Sequence, residues 1–197
     1  MSRRADALAA IDAANADDPN TIEVRGAVRP KEQAHAELMT DWLERLDPGA
    51  TDAQHLAARA HHLRRWSVPR SDYPEGRAGY LRWRTALKKQ HADEVVAILE
   101  RVGYDADTID RTKRIIRKEG LGSDPQVQTH EDALCLVFLE TQLAELADAQ
   151  GETKMLDIIT KTAAKMSPRA LELVADLPLR DADRALIARA LGSGGGA

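Results

Sequence analysis

The chain has 197 residues, with 28 basic and 32 acidic side chains and a formal net charge of −4. This length suits one domain of ordinary size. The net charge excludes a globally basic nucleic-acid binder, although a local basic patch remains possible. Hydrophobic residues make up 43% of the chain and aromatic residues only 4%. Because β-branched runs are also scarce, a β-sandwich or barrel is not expected.

The sequence carries little sign of export or membrane insertion. Cys135 is the one cysteine, so no disulfide or cysteine-based zinc site forms within the chain. No apolar stretch reaches the ~18 residues of a membrane span, and the N-terminal residues lack the apolar run of a secretory signal. We therefore expect a cytoplasmic protein with no membrane partner.

Apolar periodicity predicts helices along the chain and no strand. The predicted helical segments are 3–15, 31–46, about 51–66, 78–102, 107 or 108 to 120, 129–149, 153–165, 168–176 and 181–191. Residues 16–30 contain Pro19, Gly26 and Pro30 and are expected to form a loop. The predicted fold is a single all-α domain over 1–191, with a core at about 31–150 and a C-terminal extension at about 152–191. The Gly-rich tail 192–197 is expected to be disordered.

Two sequence pairs predict helix starts. Thr51 followed by Gln54 has the pattern of a capping box. Ser167 followed by Pro168 has the pattern of an N-cap and a first-turn proline.

Histidines and carboxylates recur on successive predicted helices, an arrangement that favours a metal site. A cation held there would lower the pKa of its bound water and polarise a phosphoryl oxygen. His61 and His62 are adjacent, so on a helix their side chains would point about 100° apart. The candidate metal ligands are His35, His61, His62, His91 and Asp132. Glu131 is a candidate general base or orienting residue, and Lys118 is a candidate assisting residue.

The order of these residues resembles that of the HD-type metal-dependent phosphohydrolases. The resemblance rests on His35 in the first helix, the pair His61-His62, the segment that begins at His91, and the late Glu131-Asp132. It spans roughly residues 31–145 and implies an HD-like helical bundle that binds a divalent metal.

One departure concerns the defining pair, which reads His61-His62 where the HD-type pattern has His-Asp. An imidazole in place of a carboxylate leaves less negative charge for a hard cation. The departure therefore favours Fe, Mn, Ni or Zn over Mg²⁺, or a site that has lost its metal.

A closer resemblance is to an uncharacterised family, domain of unknown function 4202. It is carried by the runs 65–74 and 77–84 and by Glu131 to Glu140, and it covers nearly the whole chain. It implies a family but no activity.

The segment 59–92 has nine basic and two acidic residues, a local charge of +7. Four of the seven aromatic residues also lie there, a composition that suits phosphate binding and base stacking. The alternative is that these arginines form ion pairs and the tryptophans pack in the core. The candidate substrate-binding residues are Arg65, Trp66, Arg70, Tyr73, Arg77, Tyr80 and Arg84.

These observations together predict a metal-dependent hydrolase of a phosphorylated small molecule, with a nucleotide as the expected substrate. One alternative is a non-catalytic module that binds a nucleotide or RNA on the same fold. A second alternative is an oxidative enzyme with two metal ions.

Overall fold

The structure is a computed structural model that describes residues 2–192. It is mostly helical, as the composition predicts. The helices are α1 Arg3–Ala16, α2 Lys31–Leu46, α3 Asp52–Arg59, α4 Gly76–Val102, α5 Ala106–Arg117, α6 Pro125–Thr141, α7 Leu143–Ala149, α8 Glu152–Ala163, α9 Pro168–Leu173 and α10 Asp181–Gly192. The predicted disorder of the tail falls, beyond Gly192, outside the described residues.

The prediction of a loop over 16–30 is wrong, because an antiparallel hairpin lies there. Strand β1 is Thr21–Val24 and strand β2 is Ala27–Pro30, with Val24 paired to Ala27. The two-residue turn has Arg25 at φ 53° and Gly26 at φ 78°. Positive φ at both central residues is what a tight hairpin turn needs. The turn lacks the Asn-Gly or Asp-Gly signature by which such a hairpin is recognised in a sequence, so it was not predicted.

The predicted helix 51–66 is also wrong in length, because α3 ends at Arg59. Ala60 caps it, residues 61–64 form a turn, and a short 3₁₀ helix follows at Arg65–Ser67. The predicted capping box is confirmed: the Thr51 side chain accepts from the Gln54 N–H, and the Gln54 side chain accepts from the Thr51 N–H. His61 and His62 therefore lie in a turn and not on a helix.

The predicted helix 129–149 consists of two helices. Helix α6 begins at Pro125, and Gln142 separates it from α7. The predicted start of α9 is confirmed, with Ser167 as N-cap and Pro168 in the first turn.

The described chain divides into two compact units, one ending at His130 and the other beginning at Glu131. The core of the first unit is built from α1, α3, α4 and α5, and includes Ile11, Leu56, Leu99 and Ile115, all fully buried. In the second unit α8 packs against α7 and α10. The single domain over 1–191 stays a prediction.

Among the described residues, no helix is long and apolar enough to cross a membrane.

Candidate metal centre

Helix α2 presents two buried polar side chains at its start. Glu32 and His35 are three residues apart, so they lie on the same helix face. They are 4% and 3% exposed. The segment just before the hairpin positions this end of the helix: Asp18 Oδ2 accepts the Glu32 backbone N–H at 2.9 Å, and Asp18 Oδ1 accepts the Asn20 N–H at 2.9 Å. A buried carboxylate thus fixes the backbone from which Glu32 projects.

The turn after α3 brings His62 next to Glu32 and His35. The backbone turns sharply at Arg64, which is left-handed at φ 50°, and Asn15 Oδ1 accepts the Arg64 N–H at 3.1 Å. His62 Nδ1 lies 3.0 Å from Glu32 Oε2, and His35 Nδ1 lies 3.3 Å from the same oxygen. One carboxylate oxygen therefore meets two imidazoles that come from different elements.

This group has the dimensions of a metal-binding set. Glu32, His35 and His62 each offer a ligand atom, and these atoms lie within 4.8 Å of one another. With metal–ligand bonds of about 2.1 Å, neighbouring ligand atoms stand roughly 3.0–3.4 Å apart in octahedral or tetrahedral geometry. The two nitrogen–oxygen distances fall in that range. Two imidazoles and one carboxylate suit Fe, Mn, Ni or Zn, and they leave further positions for water.

Three more histidines surround this group. The ring centroids of His61 and His62 are 4.2 Å apart, and those of His62 and His91 are 5.9 Å apart. His61 Nδ1 lies 3.0 Å from His130 Nε2. The expectation that His61 and His62 point about 100° apart is wrong, because the turn places their rings close together at an interplanar angle of 34°.

Two ring nitrogens in this cluster are buried without a hydrogen-bond partner: His61 Nε2 and His91 Nε2. His91 donates from Nδ1 to the Leu63 carbonyl at 2.9 Å, so a neutral ring carries its lone pair on Nε2. A buried polar atom without a partner is costly. A nearby cation, or water held by one, would satisfy the lone pair of His91 Nε2.

The electrostatics favour neutral imidazoles beside a charged carboxylate. Burial lowers the pKa of His62 to about 3 despite the nearby Glu32, and lowers that of His91 to about 4. Burial alone would raise the pKa of Glu32, but His62 and His35 outweigh it and hold that pKa well below its ordinary value. Metals bind neutral imidazole and ionised carboxylate, so these are the protonation states that a site requires.

The group reaches solvent mainly through His62. The His62 side chain keeps 18% of its surface exposed, whereas the side chains of Glu32 and His35 keep 5% and 4%. A small molecule that approached the group would therefore meet His62 first.

Part of the basic segment borders that exposed side. Arg65 Nη1 lies 3.4 Å from His62 Nε2, and Arg65 Nε lies 3.9 Å from Glu32 Oε1. The Arg65 guanidinium also lies 4.8 Å from the Trp83 ring centroid, and the Trp83 and Tyr80 rings are 5.9 Å apart. Arg84 follows, with its Nη1 3.3 Å from the Tyr80 hydroxyl oxygen.

Other predicted substrate-binding residues have structural contacts. Arg70 donates to the carbonyls of Tyr73 and Pro74 at 2.8 and 2.9 Å, which stabilises the loop before α4. Trp66 and Tyr73 are half-buried and Arg77 is exposed. Their roles in substrate binding stay predictions.

Lys118 ends α5 in a left-handed conformation, at φ 59°. Burial is the main cause of the low pKa of His130, about 3, and the charge of Lys118 lowers it further. Lys118 thus acts electrostatically on the histidine cluster. Its catalytic role stays a prediction.

Asp132 and Glu131 belong to the second unit. Asp132 Oδ1 accepts the Ser167 N–H at 2.8 Å, and Asp132 Oδ2 accepts the Ser167 hydroxyl at 2.6 Å. Lys165 Nζ lies 4.0 Å from Glu131 Oε1. Asp132 therefore stabilises the start of α9, and its role as a metal ligand stays a prediction.

Sequence reasoning missed Glu32 and the buried His130. Glu32 had a signal, because Glu and His three residues apart on one helix are a recurrent ligand pair. The contact of His130 with His61 joins positions 69 residues apart, which no local pattern indicates.

Comparison with known protein families identifies one family that matches this chain. A family model described as Domain of unknown function (DUF4202) matches residues 5–187. Neither the curated proteins nor the solved structures gave a match to this chain.

Proposed function

The chain belongs to the DUF4202 family, and we propose that it is a metal-dependent hydrolase of a phosphorylated small molecule, with a nucleotide as the expected substrate. The observation that carries the proposal is the buried group of Glu32, His35 and His62, which has the chemistry and spacing of a ligand set. The order of the histidines along the chain, which resembles that of the HD-type phosphohydrolases, also supports this proposal.

A divalent cation would supply Lewis acidity and a more acidic water. The chain itself would supply the rest of the site. His35 and His62 would bind through neutral nitrogens, and Glu32 would contribute the negative charge. Arg65, on the solvent side, would hold the phosphoryl oxygens by paired N–H donors. Water would then displace the alcohol from phosphorus, yielding inorganic phosphate and the free alcohol.

The remaining expectations belong to this proposal. His61, His91 and Asp132 are further candidate ligands, and Glu131 and Lys118 are candidate catalytic groups. The metal is Fe, Mn, Ni or Zn, and the proposed place of action is the cytoplasm.

A second candidate is an oxidative enzyme, and it is favoured by one observation. Two histidines and one carboxylate with open positions are also the ligand set of non-haem iron oxygenases. Bound iron that changes oxidation state on exposure to oxygen, without phosphatase activity, would favour this candidate.

A third candidate is a metal-free module that binds a nucleotide or RNA. Arg65, Arg84 and the exposed Tyr80, 43% accessible, favour it. Nucleotide or RNA binding by protein that takes up no metal would support it.

Metal content tests the proposal most simply. Protein purified without a chelator or a His tag is expected to contain near-stoichiometric metal by elemental mass spectrometry. Glu32→Gln and His62→Ala should lose that metal together with hydrolysis of p-nitrophenyl phosphate. Protein that neither retains metal nor takes it up on addition would refute the proposal.

His55→Ala is the matched control. His55 lies on α3, seven residues before His62, and is absent from the ligand group. The variant should keep both metal and activity, and equal loss in this control would show that the assay reports general damage.

A further inference from the structure

Arg65 has a position that a simple substrate clamp would not require. Its guanidinium contacts two members of the ligand group, with Nη1 3.4 Å from His62 Nε2 and Nε 3.9 Å from Glu32 Oε1. The pairing with Glu32 partly neutralises the one carboxylate of that group. A divalent cation that entered would therefore meet a fixed positive charge beside its ligands.

Arg84 adds a second positive charge to the surroundings of Arg65. It contacts Tyr80, whose ring packs near Trp83, and Trp83 in turn lies under Arg65. Arg65 and Arg84 thus contact neighbouring rings, with the Arg65 guanidinium 4.8 Å from the Trp83 centroid and that of Arg84 6.0 Å from the Tyr80 centroid. These two like charges, with only Arg65 near the carboxylate of the ligand group, form an arrangement that a bound anion would stabilise.

We propose that Arg65 couples the two ligands of this site, so that a phosphate monoester dianion and a divalent cation each raise the affinity of the other. This inference rests on the proposed function. Phosphate oxygens match the guanidinium fork of Arg65. When they take over its N–H donors, Arg65 no longer neutralises the Glu32 carboxylate, which becomes available to the cation. The dianion also offsets the repulsion between the cation and the two arginines.

The coupling assigns the substrate class. Two guanidinium groups and a divalent cation together favour the doubly charged phosphate of a monoester over the singly charged phosphate of a diester. Because binding linkage is reciprocal, the same factor must appear whichever ligand is varied.

Mn²⁺ titrations followed by electron paramagnetic resonance test this, because the signal of free Mn²⁺ reports binding without turnover. Methylphosphonate serves as a dianion that cannot be hydrolysed as an ester, and sodium sulfate controls for ionic strength. In the unmodified protein, saturating methylphosphonate should tighten Mn²⁺ binding roughly tenfold. In Arg65→Gln, Mn²⁺ without methylphosphonate should bind at least as tightly as in the unmodified protein, and the coupling should fall below about twofold.

Two further variants complete the experiment. Arg84→Gln leaves the Arg65–Glu32 pair in place and should reduce the coupling, which provides a test if Arg65→Gln fails to fold. Arg82→Gln is the matched control, because Arg82 is exposed on the same helix, and it should keep the full coupling.

Tight Mn²⁺ binding that methylphosphonate leaves unchanged would overturn the coupling but leave the proposed function standing. Full coupling in folded Arg65→Gln would also overturn it, as would full coupling in Arg84→Gln if Arg65→Gln fails to fold. Absence of Mn²⁺ binding under every condition would overturn the coupling, and the proposed function would fall with it only if Fe, Ni and Zn were not bound either.

Discussion

Asp18 is the residue that positions Glu32, through the hydrogen bond from the Glu32 backbone N–H to Asp18 Oδ2. We expect Asp18→Ala to weaken metal binding by about tenfold, the usual effect of removing a group that orients a ligand. Isothermal titration calorimetry would measure this change. Asp17→Ala is the matched control, because Asp17 is exposed and adjacent, and it should bind metal normally. Equal affinities in the two variants would contradict the role of Asp18.

His91 allows its two ring nitrogens to be tested separately. Asparagine places an N–H near the position of Nδ1 and can keep the hydrogen bond to the Leu63 carbonyl, but it offers nothing at Nε2. Glutamine retains a polar atom near Nε2. If Nε2 faces the cation or its water, His91→Asn should weaken metal binding several-fold more than His91→Gln. A metal titration in which His91→Gln loses more affinity than His91→Asn would show that metal binding depends on the hydrogen bond to Leu63 and not on Nε2.

At the residue level, His35 and His62 could be selected from the sequence because imidazole is a common metal ligand. Glu32 could not be singled out as a metal ligand by its residue type alone, since the chain has 32 acidic residues. The mutual placement of His61 and His62 was also beyond reach. It depends on the left-handed Arg64, where neither glycine nor asparagine marks the turn.

Among the elements, the loop before α4 is held against that helix by Gly79. A Cβ on Gly79 would lie 1.8 Å from the Pro74 carbonyl oxygen, the same oxygen that accepts from Arg70. We expect Gly79→Ala to lower the free energy of unfolding by about 1–3 kcal/mol through this clash. Urea denaturation would measure it. Thr85→Ala, on the exposed side of α4, should change stability little, and a neutral Gly79→Ala would refute the close approach.

Asp124 stabilises the connection between α5 and α6. Its carboxylate pairs with Arg111, at 2.7 Å to Nη2, and accepts the backbone N–H groups of Gln126 and Val127 at the start of α6. Chiefly the hydrogen bond from Arg111 lowers the pKa of Asp124 from 3.8 to about 2. Because the folded pKa lies below the unfolded one, this stabilisation is present above about pH 4 and is lost as the pH falls towards 2.

Asp124→Asn should therefore cost roughly 1–2 kcal/mol at pH 7, discounted for partial exposure, and much less near pH 2. Urea denaturation at both pH values is the measurement. A difference between the two proteins that stays constant with pH would contradict this assignment.

Element boundaries were predictable where capping residues mark them, as at Thr51 and Ser167. They were not predictable where a tertiary contact ends an element. The end of α3 at Arg59 is one such case, because the turn that follows is held by Asn15 on α1, whose Oδ1 accepts the backbone N–H of the left-handed Arg64 at 3.1 Å. The turn that follows carries His61 and His62, so the error in helix length also misplaced these two histidines on a helix.

On the scale of the whole molecule, the helical fold follows from a composition rich in good helix formers and poor in β-branched runs. The concentration of positive charge in 59–92 was equally visible in the sequence. What the charge does was not visible, because Arg70 binds backbone carbonyls while Arg65 borders the candidate metal ligands. Long-range packing decides between these uses, and local composition does not carry that information.

Anomalous X-ray diffraction from crystals grown with Mn²⁺ tests most directly whether Glu32, His35 and His62 hold one cation. We expect one strong anomalous peak at about 2.0–2.3 Å from a Glu32 carboxylate oxygen and from one ring nitrogen of each of His35 and His62. Crystals in which Mn²⁺ is present but no peak lies at these residues would contradict it.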